Sequence, residues 1–250
     1  MKHVKNLALI TMLFSIIILA GTVFAGEVLL EETDISISSD IGFFSKYMWR
    51  GMKLDDDPVM QPGVYISGYG FEVSVWGNID MDSDDSLTSE EVDYAISYSY
   101  SIPETPVSLS GGFTYYDFPK ADSASREWFV GVSLDTILSP SLTLYHDFGE
   151  EDSGGGSGDY LYLGLSHSEP IGDSPVSLDL SGGIGYNEEL FINGEGGHVN
   201  LGAGFTIQLT DICSVSPTVN YDIPFGDMED EDDGNYDDEF YGGATVAFSL

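Results

Sequence analysis

From residue 34 onward, apolar side chains fall at every second position, in runs separated by clusters of Gly, Pro, Asp and Ser. A period of two marks a β-strand with two unlike faces, whereas a helix would repeat every 3.6 residues. In the run 91–102, Val92, Tyr94, Ile96, Tyr98, Tyr100 and Ile102 share one face, and Asp93, Ala95, Ser97, Ser99 and Ser101 share the other. In 198–209, Val199, Leu201, Ala203, Phe205, Ile207 and Leu209 oppose Asn200, Gly202, Gly204, Thr206 and Gln208. The same alternation runs through 34–50, 107–118, 126–136, 141–148, 160–168, 176–186, 212–222 and 240–250, and more weakly through 62–68 and 71–78. The pattern predicts about twelve strands.

The connections alternate as well. Short joins lie at 68–70, 103–106, 137–140, 169–175 and 210–211, and longer acidic, glycine-rich joins at 51–61, 79–91, 119–125, 149–159, 187–197 and 223–239. Tight turns at one end, long loops at the other and an even strand number describe an all-β, up-and-down antiparallel transmembrane barrel of the bacterial outer membrane. Strand-end aromatics such as Tyr47, Trp49, Tyr100, Tyr115, Tyr186, Tyr221 and Phe240 are expected to form its interfacial girdles. A secreted soluble β-sandwich also alternates. Its outer surface, however, ordinarily mixes both charge signs, and here the faces opposite the apolar ones are dominated by Ser, Gly, Thr and Asn, with very few Lys or Arg.

Lys2 and Lys5 precede an apolar run from Leu7 to Ala20, and Val23 and Ala25 precede Gly26. This is the form of a signal peptide over 1–25, followed by a periplasmic N-terminal segment, 26–32, and the barrel, 33–250. The apolar run is shorter than the roughly 20 residues of a spanning helix. Cys213 is the single cysteine, which excludes an intramolecular disulfide and a lipidated cleavage site. Without the leader, only Lys46, Arg50, Lys53, Lys120 and Arg126 stand against 43 acids, so nucleic acid is not an expected partner.

Three of those five cations fall within "SKYMWRGMKLDD", 45–56. Parity carried through 34–50 places Ile35, Ile37, Ile41, Phe43, Tyr47 and Trp49 toward lipid and Asp40, Lys46 and Arg50 toward the lumen. A cation facing lipid at mid-membrane would cost about 2–4 kcal/mol. The same parity turns Glu72, Asp93, Glu127, Asp135, Asp147, Asp179 and Asp222 inward. Together with Asp40, Lys46 and Arg50, these are the candidate pore-lining residues, the cations being placed where carboxylates would otherwise crowd one another.

"SKYMWRG" (45–51), "PVMQPGV" (58–64), "GFEVSVWGNID" (70–80) and "EVDYAISYSY" (91–100) resemble successive elements of the TorF-like porin family of proteobacteria. The resemblance covers about the first third of the mature chain and carries over Tyr47, Arg50, Gly51, Pro58, Gln61, Gly70, Trp76 and Glu91. It implies a passive or weakly selective pore. The sequence departs from the family pattern in "KLDDD" after Gly51 and in ending "VAFSL", which leaves Phe248 as the aromatic expected to engage the barrel assembly machinery.

Two constellations could carry other chemistry. Asp80, Asp82, Asp84, Thr88 and Glu91 sit at positions one, three, five, nine and twelve of an EF-hand-like calcium loop, but Asp85 replaces the glycine at six and strands flank the loop. Calcium in an outer loop is therefore weighed against a solvated acidic loop, and the tract 227–239 is read as solvated or diffusely cation-binding. His146 and His167 fall on the lipid-facing parity, and no G-x-S-x-G nucleophile motif occurs. The expectation is a non-enzymatic, cofactor-free channel for small hydrophilic solutes, probed by lipid on its outside and preferring cations through its acidic lumen. A barrel whose acidic loops bind divalent cations or partners without transport is the competing reading.

Overall fold

The computed structural model describes residues 34–81, 89–149, 156–192, 194–230 and 236–249. The expected signal peptide and N-terminal segment lie outside the described residues. Twelve strands close into one antiparallel barrel: β1 (Ile35–Phe44), β4 (Val59–Gly68), β5 (Phe71–Asp80), β6 (Ser89–Ser101), β7 (Val107–Phe118), β8 (Ser123–Leu134), β9 (Ser141–Asp147), β10 (Asp159–Pro170), β11 (Val176–Glu188), β12 (Glu195–Thr210), β13 (Cys213–Gly226) and β14 (Glu239–Ser249). Two further strands, β2 (Tyr47–Trp49) and β3 (Met52–Asp55), pair only with each other. Asp227–Asp230 is a single helical turn.

Each wall strand pairs with its sequence neighbour, and β1 joins β14 from Ser38↔Ser249 to Phe44↔Gly243. Closure leaves no unpaired edge and excludes the two-sheet sandwich. The sheet has its apolar face outward: Ile66, Val73, Val130, Leu163, Leu201 and Phe205 are all exposed. Such a belt would be untenable in water but is what a hydrocarbon surround requires. Tyr100, Tyr186 and Phe240 are exposed outside it, as girdle residues should be.

Opposite parity faces the lumen. The register stacks Ser166, Ser181, Gly202 and Asn220 across β10 to β13, a wall of small polar residues. The two weakly patterned stretches are genuine strands, β4 and β5, joined by Tyr69 and Gly70 with φ of 55° and 85°. Positive φ at both central residues gives a type I′ turn, whose twist matches the strands it joins.

The structure departs from sequence parity in two places. Strand β1 stops at Phe44, so Tyr47 and Trp49 are not girdle residues; they belong to the β2–β3 hairpin, and Tyr47 is buried. Asp135 lies beyond the end of β8 in the short turn to β9, where it is solvent-exposed rather than part of the lumen wall. In both cases alternation was carried past the point where the chain leaves the ladder.

Candidate functional site

After Ser45, whose N–H still bonds to the carbonyl of Gly242 on β14, the chain folds over the long-loop rim and into the barrel. The hairpin turns at Arg50-Gly51, between the paired residues Trp49 and Met52. Arg50 has φ 51° and Gly51 φ 81°, again a type I′ turn. Glycine meets two demands at position 51: the left-handed backbone, and a close approach in which a Cβ would lie 2.6 Å from the Cβ of His198. The Tyr47–Gly51 part of "SKYMWRG" thus forms one strand and the tip of an inward hairpin.

All three cations of this stretch end on wall carboxylates. Arg50 donates from both terminal nitrogens to Glu127 on β8, at 2.6 and 2.8 Å, a bidentate geometry that fits guanidinium to carboxylate. Glu127 is 2% exposed and also accepts from the Tyr116 hydroxyl at 3.0 Å. The guanidinium carbon lies 4.4, 4.3 and 4.6 Å from the ring centres of Trp49, Tyr145 and Tyr160, which replaces much of the hydration it gives up. Lys46 and Lys53 converge on Glu239 at the start of β14, at 2.5 and 2.7 Å, and Lys46 also meets Asp56 at 2.8 Å. Hydrogen bonds to Asp56 and then Glu239 raise the Lys46 pKa, that to Glu239 raises that of Lys53, and Lys46 in turn lowers that of Asp56. Tyr47 donates to Glu91 at 2.7 Å and packs against Trp76.

The hairpin separates two spaces. On the inner side, a cavity of about 240 Å³ is lined by Arg50, Tyr145, Tyr160, Tyr162, His198 and Asp222, among others. Here His198 Nδ1 faces Asp222 at 2.7 Å and its Nε2 faces the Tyr160 hydroxyl at 2.7 Å, while Tyr162 donates to Asn200 at 2.8 Å. On the outer side, Trp49 packs on a small core of Met52, Ile192, Met228 and Tyr236, drawn from the hairpin and the long-loop rim. An aromatic-walled cavity of about 260 Å³ adjoins it. Toward the short-turn rim the lumen widens into a space of about 540 Å³ bordered by Ser166, Ser168, Asp179, Ser181, Thr218 and Asn220.

The predicted acids are therefore distributed unequally. Asp40 accepts from Tyr65 at 3.4 Å in the lumen. Glu72 lies near the short-turn end, paired in register with Ser67 and exposed. Asp179 accepts from Ser168 and Thr206. Asp147 is spent on structure, taking bonds from the Ser125 hydroxyl and the N–H groups of Gly149, Gly156 and Ser157. Of the predicted set only Glu127 meets a cation of the hairpin. Lys46 reaches instead Glu239, which sequence parity did not single out. His198 was also missed, although extending parity two residues back from Asn200 turns it inward.

Of the EF-hand-like set, Asp82, Asp84 and Thr88 lie outside the described residues. Glu91 is turned into the lumen toward Tyr47, and the carboxylates that gather with Asp80 are those of Asp55 and Glu90, with oxygens within 4.8 Å of one another. Glu90 also pairs with Lys120. Nδ1 of His146 faces Asp159 at 2.8 Å, and Nδ1 of His167 faces the Ile137 carbonyl at 2.7 Å.

Residues 31–220 match the model of a family described as bacterial protein of unknown function (Gcw_chp), and the chain belongs to that family. No curated protein matches in sequence. Among solved structures, the NanC porin is similar with a TM-score of 0.54 at 10% identity, covering 86% of this chain and 100% of the porin. An outer-membrane channel from Pseudomonas putida F1 gives 0.52 at 11% identity, covering 87% and 96% respectively. Outer membrane phospholipase A from Escherichia coli gives 0.50 at 10% identity, covering 84% and 92%. These likenesses establish the outer-membrane barrel fold, which serves channels and an enzyme alike.

Proposed function

We propose that this protein is an outer-membrane channel for the passive diffusion of small hydrophilic solutes, with a preference for cations and a bore narrowed by its own first loop. It works without a cofactor or a chemical step, in contact with outer-membrane lipid, and reaches its place through the barrel assembly machinery. The observation that carries this reading is the division of charge inside the barrel. The hairpin's three cations are held by Glu127 and Glu239 at the long-loop end, while Asp40, Glu72 and Asp179 lie toward the short-turn end with no Lys or Arg among their described contacts. Carboxylates lining a low-dielectric bore attract cations and repel anions. Reversal potentials across a planar bilayer under a salt gradient test it. Cation preference should weaken as salt rises, because the Debye length shortens to about 3 Å at 1 M. Arg50→Gln should sharpen the preference by releasing Glu127. Anion preference from the folded barrel would refute the reading.

A second reading rests on the grouping of Asp55, Asp80 and Glu90 at the long-loop rim. Three carboxylates within reach of one ion are a partial calcium shell, which needs about six to eight oxygens. Calorimetry of the refolded protein with calcium decides it: no heat up to about 1 mM, the weak end of extracellular sites, leaves a solvated acidic rim.

A further inference from the structure

The outer cavity differs in kind from the rest of the lumen. Its walls include Trp49, Tyr116, Phe118, Phe191 and Tyr236, with Glu91 at its margin. The rings are not stacked on one another. Tyr116 stands at 75° to the indole of Trp49 with centroids 6.3 Å apart, and Phe191 at 68° and 5.8 Å, so they meet as the sides of a box. The two tyrosine hydroxyls are engaged elsewhere: Tyr116 donates to Glu127 and Tyr236 to the Phe191 carbonyl. What the rings offer the cavity is π-face and edge, and a π-face is electronegative.

The charge around the box is also one-sided. Glu91 is 6% exposed and accepts from Tyr47. Two residues along the same inward face, the Asp93 carboxyl shares a side-chain hydrogen bond with that of Glu91, and one of its oxygens is buried with no hydrogen-bond partner among the described residues. The nearby cations are already matched, Arg50 by Glu127 and Lys46 and Lys53 by Glu239. The Arg50 guanidinium that lies over the Trp49 ring belongs to the lining of the inner cavity and not of the outer one.

Three ligand classes can be compared. An anion meets carboxylate and π-faces, both repulsive. A bare metal ion needs many oxygens, and the outer cavity is lined by one carboxylate residue, Glu91. An alkylammonium ion carries a diffuse, weakly hydrated positive charge inside an apolar shell, and aromatic boxes bind it through cation–π attraction. At about 260 Å³ the space is smaller than a drug-sized site of roughly 300–1,000 Å³, so it suits a compact head group. We infer that the aromatic cavity beneath the long-loop rim is a binding site for small organic cations of the quaternary ammonium class. The site goes beyond the channel reading, because binding there does not require that the barrel conduct.

The test uses the full mature chain refolded in a maltoside detergent, which carries no ammonium group. Choline and its neutral isostere 3,3-dimethylbutan-1-ol are titrated by calorimetry and by tryptophan fluorescence. Choline should bind saturably and at least ~10-fold more tightly than the neutral isostere, and Phe191→Ala should weaken it by roughly 3- to 10-fold, the range expected for one lost ring. Glu91→Gln, which keeps an acceptor for Tyr47, should weaken choline and leave the neutral isostere unchanged. Equal affinity for the two ligands would show a plain apolar pocket, and the absence of saturable choline binding would show no site; either overturns the inference. Should Glu91→Gln fail to fold, the partly exposed position of Phe191 keeps the comparison available.

Discussion

The two ends of this lumen are built from the same alternating strands and behave as different materials. At the long-loop end Glu91, Glu127, His198, Asp222 and Glu239 are all buried, and each holds a named partner on the hairpin or the wall. At the short-turn end the wall is Ser, Gly and Thr around a wider space, and Glu72 is exposed. The difference comes from one inserted element, the β2–β3 hairpin with the residues flanking it, which carries three of the five Lys and Arg residues beyond residue 25 into the crowded end. A strand pattern can make a polar tube, and here the charges that fill one end of it are delivered by a hairpin from outside the wall.

The contrast is broken most severely at Glu127. Glu127→Ala strands the Arg50 guanidinium among aromatic rings, and removing one partner of a buried pair costs about 3–5 kcal/mol. Urea unfolding should show that loss, whereas Asp179→Asn at the open end should shift the midpoint by no more than about 0.5 kcal/mol, as for a surface substitution. The second largest effect is at the hairpin tip. Gly51→Ala combines a positive φ with a contact on His198, and a strained residue of this kind costs on the order of 1–3 kcal/mol. Loosening should be visible as faster proteolysis between residues 45 and 58 while the barrel stays intact. The smallest effect is at Lys53, which shares Glu239 with Lys46; because Lys46 still holds Glu239, Lys53→Met strands no buried carboxylate and should cost about 1 kcal/mol or less. Both lysines have raised pKa values, so their contribution is complete below the unfolded value of about 10.4 and is lost as pH rises through the higher folded values. Hairpin anchoring should therefore be flat from neutral pH to about pH 10 and fail only in stronger alkali.

The wall was legible in the sequence because a barrel strand obeys one rule, parity, over its whole length. The runs at 107–118, 176–186 and 212–222 fall almost on β7, β11 and β13. The alternation of short and long joins located the two rims for the same reason. The site was less legible, because it begins where parity ends. Tyr47 and Trp49 continue the alternation of β1 in sequence, yet the chain leaves the wall directly after Ser45. The signal for that departure was present in Arg50-Gly51, a dipeptide suited to a two-residue turn with a glycine at its second position. Nothing local tells Lys46 to choose Glu239, 193 residues away, since that contact exists only once the barrel has closed.

The central claim is that the hairpin, not the wall, sets the bore. It is tested most directly by single-channel conductance of two proteins in the same salt: the native barrel, and a variant in which residues 46–56 are replaced by a short Gly-Ser link that leaves all twelve wall strands in place. Removing the constriction from a water-filled barrel should raise conductance several-fold, to a value set by the wall, and restore salt dependence governed by the freed Glu127 and Glu239. Equal conductance from the two folded barrels would contradict the account, since the lumen would then be limited by something other than the element folded into it.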